Sequence, residues 1–359
     1  MSYNLTNIGG LGNGSLGNVT ISTSVQINSY ANVTSMTSDG QTVTIGAASV
    51  GSYGDFTVGQ QLLFHVTGCL NTNTSDLGKY GVATISAVNG AQLTLNAPVP
   101  YVNLSNYVCQ VVSIPQFTNL TLSTSLYALS YNDTNKYGGI IILKCSGTLD
   151  LSSGGRLLAQ SKGLPGSRKP AGVTQSNADL SSKLIMGGNG GSGIVIVVAN
   201  VTKLSITSRL GATWTGNAGA GTGGGGNANG TTGGTGHGGS IPGGLQGYGG
   251  SGIHYYSRPG TSGSVILLIS LTITNFFLDC FSTGGGNGMD EPGTSVASTP
   301  GGAGYGGGGG QDNGYSESGD SGGGAGAGFI ATNTALTKNS IAYYLDNIIC
   351  FPQQAIGGF

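Results

Sequence analysis

Four stretches of the chain share one form: small residues, then a branched apolar run, then a second apolar run. They are GGIIILKCSGTLDLSSGGRLLAQSKG (138–163), GSGIVIVVANVTKLSITSRLGATW (191–214), SGSVILLISLTITNFFLDCFSTGG (262–285) and GAGFIATNTALTKNSIAYYLDNII (326–349), with starts 53, 71 and 64 residues apart. A unit of this size cannot bury its apolar face alone. Its recurrence therefore predicts stacked or packed repeats, with inserts of variable length on one face.

The inserts are dominated by glycine, as in GNAGAGTGGGGNANGTTGGTGHGG and GGAGYGGGGGQDNG. Of 71 glycines, 14 lie in residues 1–137 and 57 in 138–359, so the composition changes sharply after 137. Glycine loses the most backbone entropy on ordering. It is expected where main chains approach too closely for a Cβ, as at the axis of collagen. Ordered, polyglycine-II-like inserts are expected on this ground, and flexible linkers are the competing reading. Tyr248, Tyr255, Tyr256, Tyr305 and Tyr315 interrupt the runs, and aromatics suit contact loops better than linkers.

The first part reads differently. Residues 1–37 alternate Asn, Ser and Thr with Ile and Val and carry no helix signal; they are expected as an extended arm or first strands, available to pair with another chain. Residues 38–123 are expected to form a small β-barrel or sandwich module. The runs QTVTIG, QLLFHVTG, YGVATISAVNG, AQLTLNAPV and YVCQVVSIP are separated by turn residues. Asn89-Gly90 between two alternating stretches is a hairpin cue. Residues 124–359 complete the organisation as a Gly-rich β-repeat domain. The fold class expected is all-β: a small N-terminal β module, then repeated strand units arranged as a β-helix or sandwich.

Charge excludes several functions. Only 7% of residues are charged and the net charge is −1, which offers no electrostatic footprint for nucleic acid. No basic amphipathic segment suits a membrane surface. The most apolar stretch, SVILLISLTITNFFLDCF (264–281), is interrupted by Ser, Thr, Asn and Asp and fits two consecutive strands, so no membrane span is expected. The start, MSYNLTNIGG, lacks a basic segment followed by an apolar one, so no signal peptide is expected. Cys69, Cys109, Cys145, Cys280 and Cys350 lack paired spacing. That argues against a zinc ribbon or a disulfide framework; Cys145, Cys280 and Cys350 sit in strand-like runs and are expected as small buried thiols. Ten Asn-x-Ser/Thr sequons only slightly exceed what the composition supplies.

Catalytic signals are thin. GDSGGG (319–324) matches the nucleophile loop of chymotrypsin-like proteases, but Ser321 needs a general-base His and an orienting Asp. The early His of that order can only be His65, which stands in the alternating run LLFHVTG. A glycine-rich segment generates the string by accident. GHGG (236–239) resembles an esterase oxyanion loop without the nucleophile elbow that accompanies one. Asp312, Asn313, Glu317 and Asp320 fall within nine residues, leaving Asp312 and Asp320 as weak calcium candidates beside the reading of a solvated acidic loop. Thirteen acids in the chain, unpaired at fixed strand offsets, speak against a polysaccharide-cleaving enzyme. No cofactor is expected.

Two stretches carry a resemblance. The segment DFTVGQQLLFHVTG to QFTNLTLS (55–123), followed by YGGIIILKCSGTLDLSSGGRLLAQSKG (137–163), resembles phage and bacterial surface proteins in which a small β module leads into strand repeats with Gly-rich inserts. The Gly-rich part is similar to the tip adhesin of T-even-type phage tail fibres, a polyglycine-II sandwich presenting variable receptor-binding loops. The strand runs here are longer, the Gly runs less regular, and an N-terminal segment is added; no site residue carries over.

The function expected is a non-enzymatic structural or adhesive protein of a virion or cell surface. Its loop tips would present Trp214, Tyr248, His254, Tyr255, Tyr256, Tyr305 and Tyr315 to a cell-surface glycan or outer-surface protein. The same aromatics have a second reading, packing over glycine backbones. The alternative function is a self-assembling filament or capsid-lattice subunit joined by strand exchange through residues 1–37. Self-association is expected in both.

Overall fold

The computed structural model describes residues 8, 10–70, 76, 78–132, 134–159, 162, 193–211 and 265–275, and the backbone of five further strands between 235 and 350. The chain opens with β1 (Asn18–Ile21) and β2 (Val25–Gln26), then leaves for β3 (Tyr30–Met36), β4 (Thr42–Ile45), β5 (Gln61–Cys69), β6 (Tyr80–Asn89), β7 (Gln92–Leu95) and β8 (Tyr107–Ile114). It returns through β9 (Gln116–Phe117), β10 (Asn119–Leu122), β11 (Ser125–Tyr127), β12 (Ile140–Asp150) and β13 (Arg156–Leu158). Next come β14 (Ile194–Lys203), β15 (Arg209–Gly211), β16 (Thr235–His237) and β17 (Tyr248–Ser251). The last four are β18 (Val265–Thr274), β19 (Phe281–Ser282), β20 (Phe329–Thr332) and β21 (Ile348–Cys350).

Strands β3 to β8 close a six-stranded antiparallel barrel in the order β3-β4-β7-β6-β5-β8. The other strands, apart from the β16–β17 hairpin, build two parallel sheets. The long sheet runs β1-β10-β12-β14-β18-β20-β21, with β9 also on β12, and the short sheet runs β19-β15-β13-β11-β2. Ile140, Ile194, Val265 and Phe329 stand in one register row. The four recurrent units thus pair strand upon strand, and the apolar stretch 264–281 holds β18 and the first residue of β19. In the fourth unit the second strand, β21, joins the long sheet beside β20 rather than the short one.

Parallel sheets covered on both faces are written as continuous apolar runs rather than alternating ones. Ile141, Leu143, Val195, Val197, Ile266 and Leu268 turn to the core between the two sheets. Ile140, Ile142, Ile194, Ile196, Leu267 and Ile269 turn the other way and pack with Leu63, Val112 and Ile114 of the barrel. The long sheet is therefore the middle of three layers. Each of these fully buried side chains contributes about 2 kcal/mol. The barrel has its own interior, with Leu62, Phe64, Val66, Cys109 and Val111 at its centre.

Residues 18–36, within the segment expected as an arm, are three strands of the chain's own sheets. β1 lies parallel to β10, with Asn18 opposite Asn119 and Ile21 opposite Leu122, and β3 closes the barrel against β8. Alternating Val19 and Ile21 supply one inward face, which their own chain covers. The barrel is an excursion between the first pair of parallel strands and the second.

Two glycines show why the strand units need that residue. A Cβ on Gly193 would collide with the carbonyl of Gly139 in the preceding unit, where the Ile194 amide donates to that same carbonyl. Gly147 sits where β12 gains a residue between Cys145 and Thr148. A Cβ there would meet the Asn119 carboxamide, whose Oδ1 accepts from the Thr148 amide at 2.7 Å.

Candidate functional site: one edge of the sheets and the barrel junction

The two kinds of connection differ systematically. Links from a long-sheet strand to the following short-sheet strand are brief: 22–24, 123–124, 151–155, 204–208 and 275–280. Links back to the next long-sheet strand are 27–115, which holds the barrel, and 128–139, 159–193, 212–264 and 283–328. Because every pairing in both sheets is parallel, all links of the second kind leave from one edge of the short sheet and enter one edge of the long sheet. The barrel and the Gly-rich inserts are attached along the same side.

The residues expected at loop tips belong to two of these links. Tyr248 lies in β17, opposite His237 of β16, and both belong to 212–264. Trp214, His254, Tyr255 and Tyr256 of that link lie outside the described residues. So do Tyr305 and Tyr315 of the link 283–328, together with Asp312, Asp320 and Ser321. His65 is fully buried in β5, between Tyr80 of β6 and Gln110 of β8 in register.

A polar seam joins the barrel to the long sheet. Asn28 Nδ2 donates to the carbonyls of Ser113 (2.8 Å) and Ile142 (2.6 Å), and its Oδ1 accepts from the Ile142 amide at 3.3 Å. Tyr30 Oη donates to the Ile140 carbonyl at 2.6 Å, and its ring stacks on Tyr137. Gln110 bonds Gly138 in both directions, and Ser29 bonds Gly54 and Ser113. Burial holds the Tyr30 phenol far above its usual value, against a smaller opposing effect of the Leu129 amide. These groups are buried, and satisfying them fixes one docking geometry.

Lys144 is the charged member of the seam. It shares the barrel-facing side of β12 with Ile140 and Ile142 and is fully buried. Its Nζ donates to Gln61 Oε1 of β5 at 2.7 Å. Gly12 passes directly over it, so a Cβ there would lie 3.1 Å from Lys144 Cβ and 2.9 Å from Gln116 Oε1. Burial pulls the amine down to about 7. A lone Lys in the apolar run IIILKC was the sequence signal for this site, but the pattern does not say what covers it.

Among the described residues no three His, Cys, Asp or Glu side chains gather as a metal site, and no helix is long and apolar enough to cross a membrane. Cys109 and Cys145 are free and buried. Burial raises both thiols, Cys145 to about 12 and Cys109 further with help from the Asp76 charge. No protein-family model, curated protein or solved structure matches the chain.

Proposed function

We propose that this chain is a non-enzymatic structural and adhesive protein of a virion or cell surface. In this reading the parallel strands wind as a β-helix, and the Gly-rich inserts pack as polyglycine-II-like segments. Their aromatic and polar tips attach to a surface glycan or an outer-surface protein. The likeness of the Gly-rich part to phage tail-fibre tip adhesins points the same way. The observation that carries the proposal is that the barrel and the links 128–139, 159–193, 212–264 and 283–328 are attached along one side of the sheets. Variable loops held by a rigid scaffold are the usual arrangement of a recognition surface.

The test is attachment of the purified full chain to cells and to glycan arrays, compared with the variant Tyr255→Ala/Tyr256→Ala. The expected result is binding by the parent and a loss of about tenfold or more in the variant. Failure of the parent chain to bind any cell or glycan overturns the adhesive reading.

A self-assembling filament or lattice subunit is the second reading, favoured by one observation. Among the described strands β1 is the outermost at its end of the long sheet and carries the uncharged sequence NVTI, an edge of the kind that can take a strand of a neighbouring molecule. Thr20→Lys places a charge on that edge. Polymerisation of the parent that this variant stops decides for the filament.

A further inference from the structure

The outer face of the short sheet carries a feature independent of the loop tips. Arg156 of β13 and Arg209 of β15 are register partners on neighbouring strands. Their neighbours Leu157 and Leu210 are fully buried in the core between the sheets, so by strand alternation both arginines project outward. Adjacent strands are about 4.8 Å apart, and like charges directly opposite disfavour pairing. The whole chain has only four arginines, yet two of them meet here.

Among the described residues no carboxylate forms an ion pair with either arginine. Asp150, which precedes this unit's turn into β13, is engaged by the Ser152 amide and hydroxyl and by Lys203. Arg209 is held in place, its Nη1 donating at 2.7 Å to the carbonyls of Ile206 and Ser208, and the residue is partly exposed. Arg156 is exposed, and no hydrogen bond or ion pair of its side chain occurs among the described residues. In the same row stands Ser125, opposite Arg156, and two residues along on the same face is Tyr127, 38% exposed.

We infer that this face binds an acidic polysaccharide, with the two guanidinium groups on a sulfate or carboxylate and Tyr127 against a sugar ring. Planar forks suit both anions, and an aromatic face beside them suits the apolar side of a pyranose. A net charge of −1 disfavours a polyphosphate, whose binding needs an extended basic surface.

The experiment measures affinity of the full chain for a sulfated polysaccharide (heparin), a carboxylated one (polysialic acid), neutral dextran, and vesicles containing anionic lipid. The expected result is binding to one or both acidic polysaccharides, absent for dextran and weakened by salt. Arg156→Ala/Arg209→Ala lowers it by about tenfold or more, whereas the charge-matched control Arg168→Ala/Arg258→Ala leaves it unchanged. Arg156→Lys/Arg209→Lys keeps the charge and loses the fork, and shows a partial loss; it carries the test should the alanine variant fold poorly. Equal loss in variant and control, no loss in either, or equally Arg-dependent binding of the vesicles overturns the inference. Tyr255→Ala/Tyr256→Ala leaves heparin binding intact, which separates failure here from failure of the loop-tip proposal.

Discussion

The barrel and the parallel sheets bury comparable strands by opposite means. In the barrel, three of the six pairings join strands that are neighbours in sequence: β3 with β4, β5 with β6, and β6 with β7 across Gly90–Ala91. In the parallel sheets the partner of Asn18 is Asn119, and the partner of Ile194 is Val265. Tight turns organise the first region. The second depends on registers closed over long loops, and on positions such as Gly193 where one main chain rests on another. A glycine therefore does different work in the two. At Gly90 it supplies φ +57°, and the place a Cβ would take there has nothing within 4 Å. At Gly193 it supplies space.

That contrast can be broken most forcefully at Gly193. Gly193→Val drives a side chain into the Gly139 carbonyl. Destabilisation of about 3 kcal/mol or more is expected, read by denaturant unfolding. Asn28→Ala removes three hydrogen bonds of the seam; a loss of about 3 kcal/mol is expected. Should the barrel and sheets then melt as two transitions in calorimetry, the seam is what makes them one cooperative unit.

Lys144→Met sharpens the comparison through pH. The amine titrates near 7 in the folded chain and near 10.4 when unfolded. Between those values the unfolded state binds more protons, so stability rises with pH through that window, and below 7 the full penalty applies. Lys144→Met removes that slope and is more stable than the parent at pH 6 by about 2 kcal/mol, the unpaired Gln61 offsetting part of the gain. A parent whose melting temperature is flat from pH 6 to 10 contradicts the assignment. The smallest effect belongs to Gly90→Ala: about 1 kcal/mol of strain at positive φ with no clash, visible as a small shift in melting temperature.

Much of this was legible along the chain. Five barrel strands coincide with the runs found there; in β6 and β7 one buried face leaves a period-two pattern, whereas β8 is buried along its whole length. The Asn89-Gly90 cue was displaced by one residue: the loop is Gly90–Ala91, with Asn89 paired to Gln92. The recurrent apolar runs announced the register partners of the long sheet. β1, β2 and β3 were harder to place. Four, two and seven residues state that strands exist without naming partners, and the partner of β1 lies beyond the entire barrel. For the loop-tip residues, the described part supplies the pairing of Tyr248 with His237 and the attachment edge of the links. The arginine pair was invisible in sequence, since Arg156 and Arg209 become neighbours only through register.

Composition and periodicity by themselves determined that the described part is all-β and that its long apolar runs are strands, because side-chain alternation and burial are local properties of a strand. Only the tertiary structure decided that the barrel interrupts the parallel sheets, that Lys144 is sealed beneath it, and that two arginines share a row. Those outcomes depend on which distant segments meet, and contact between distant segments is settled by packing of the whole chain.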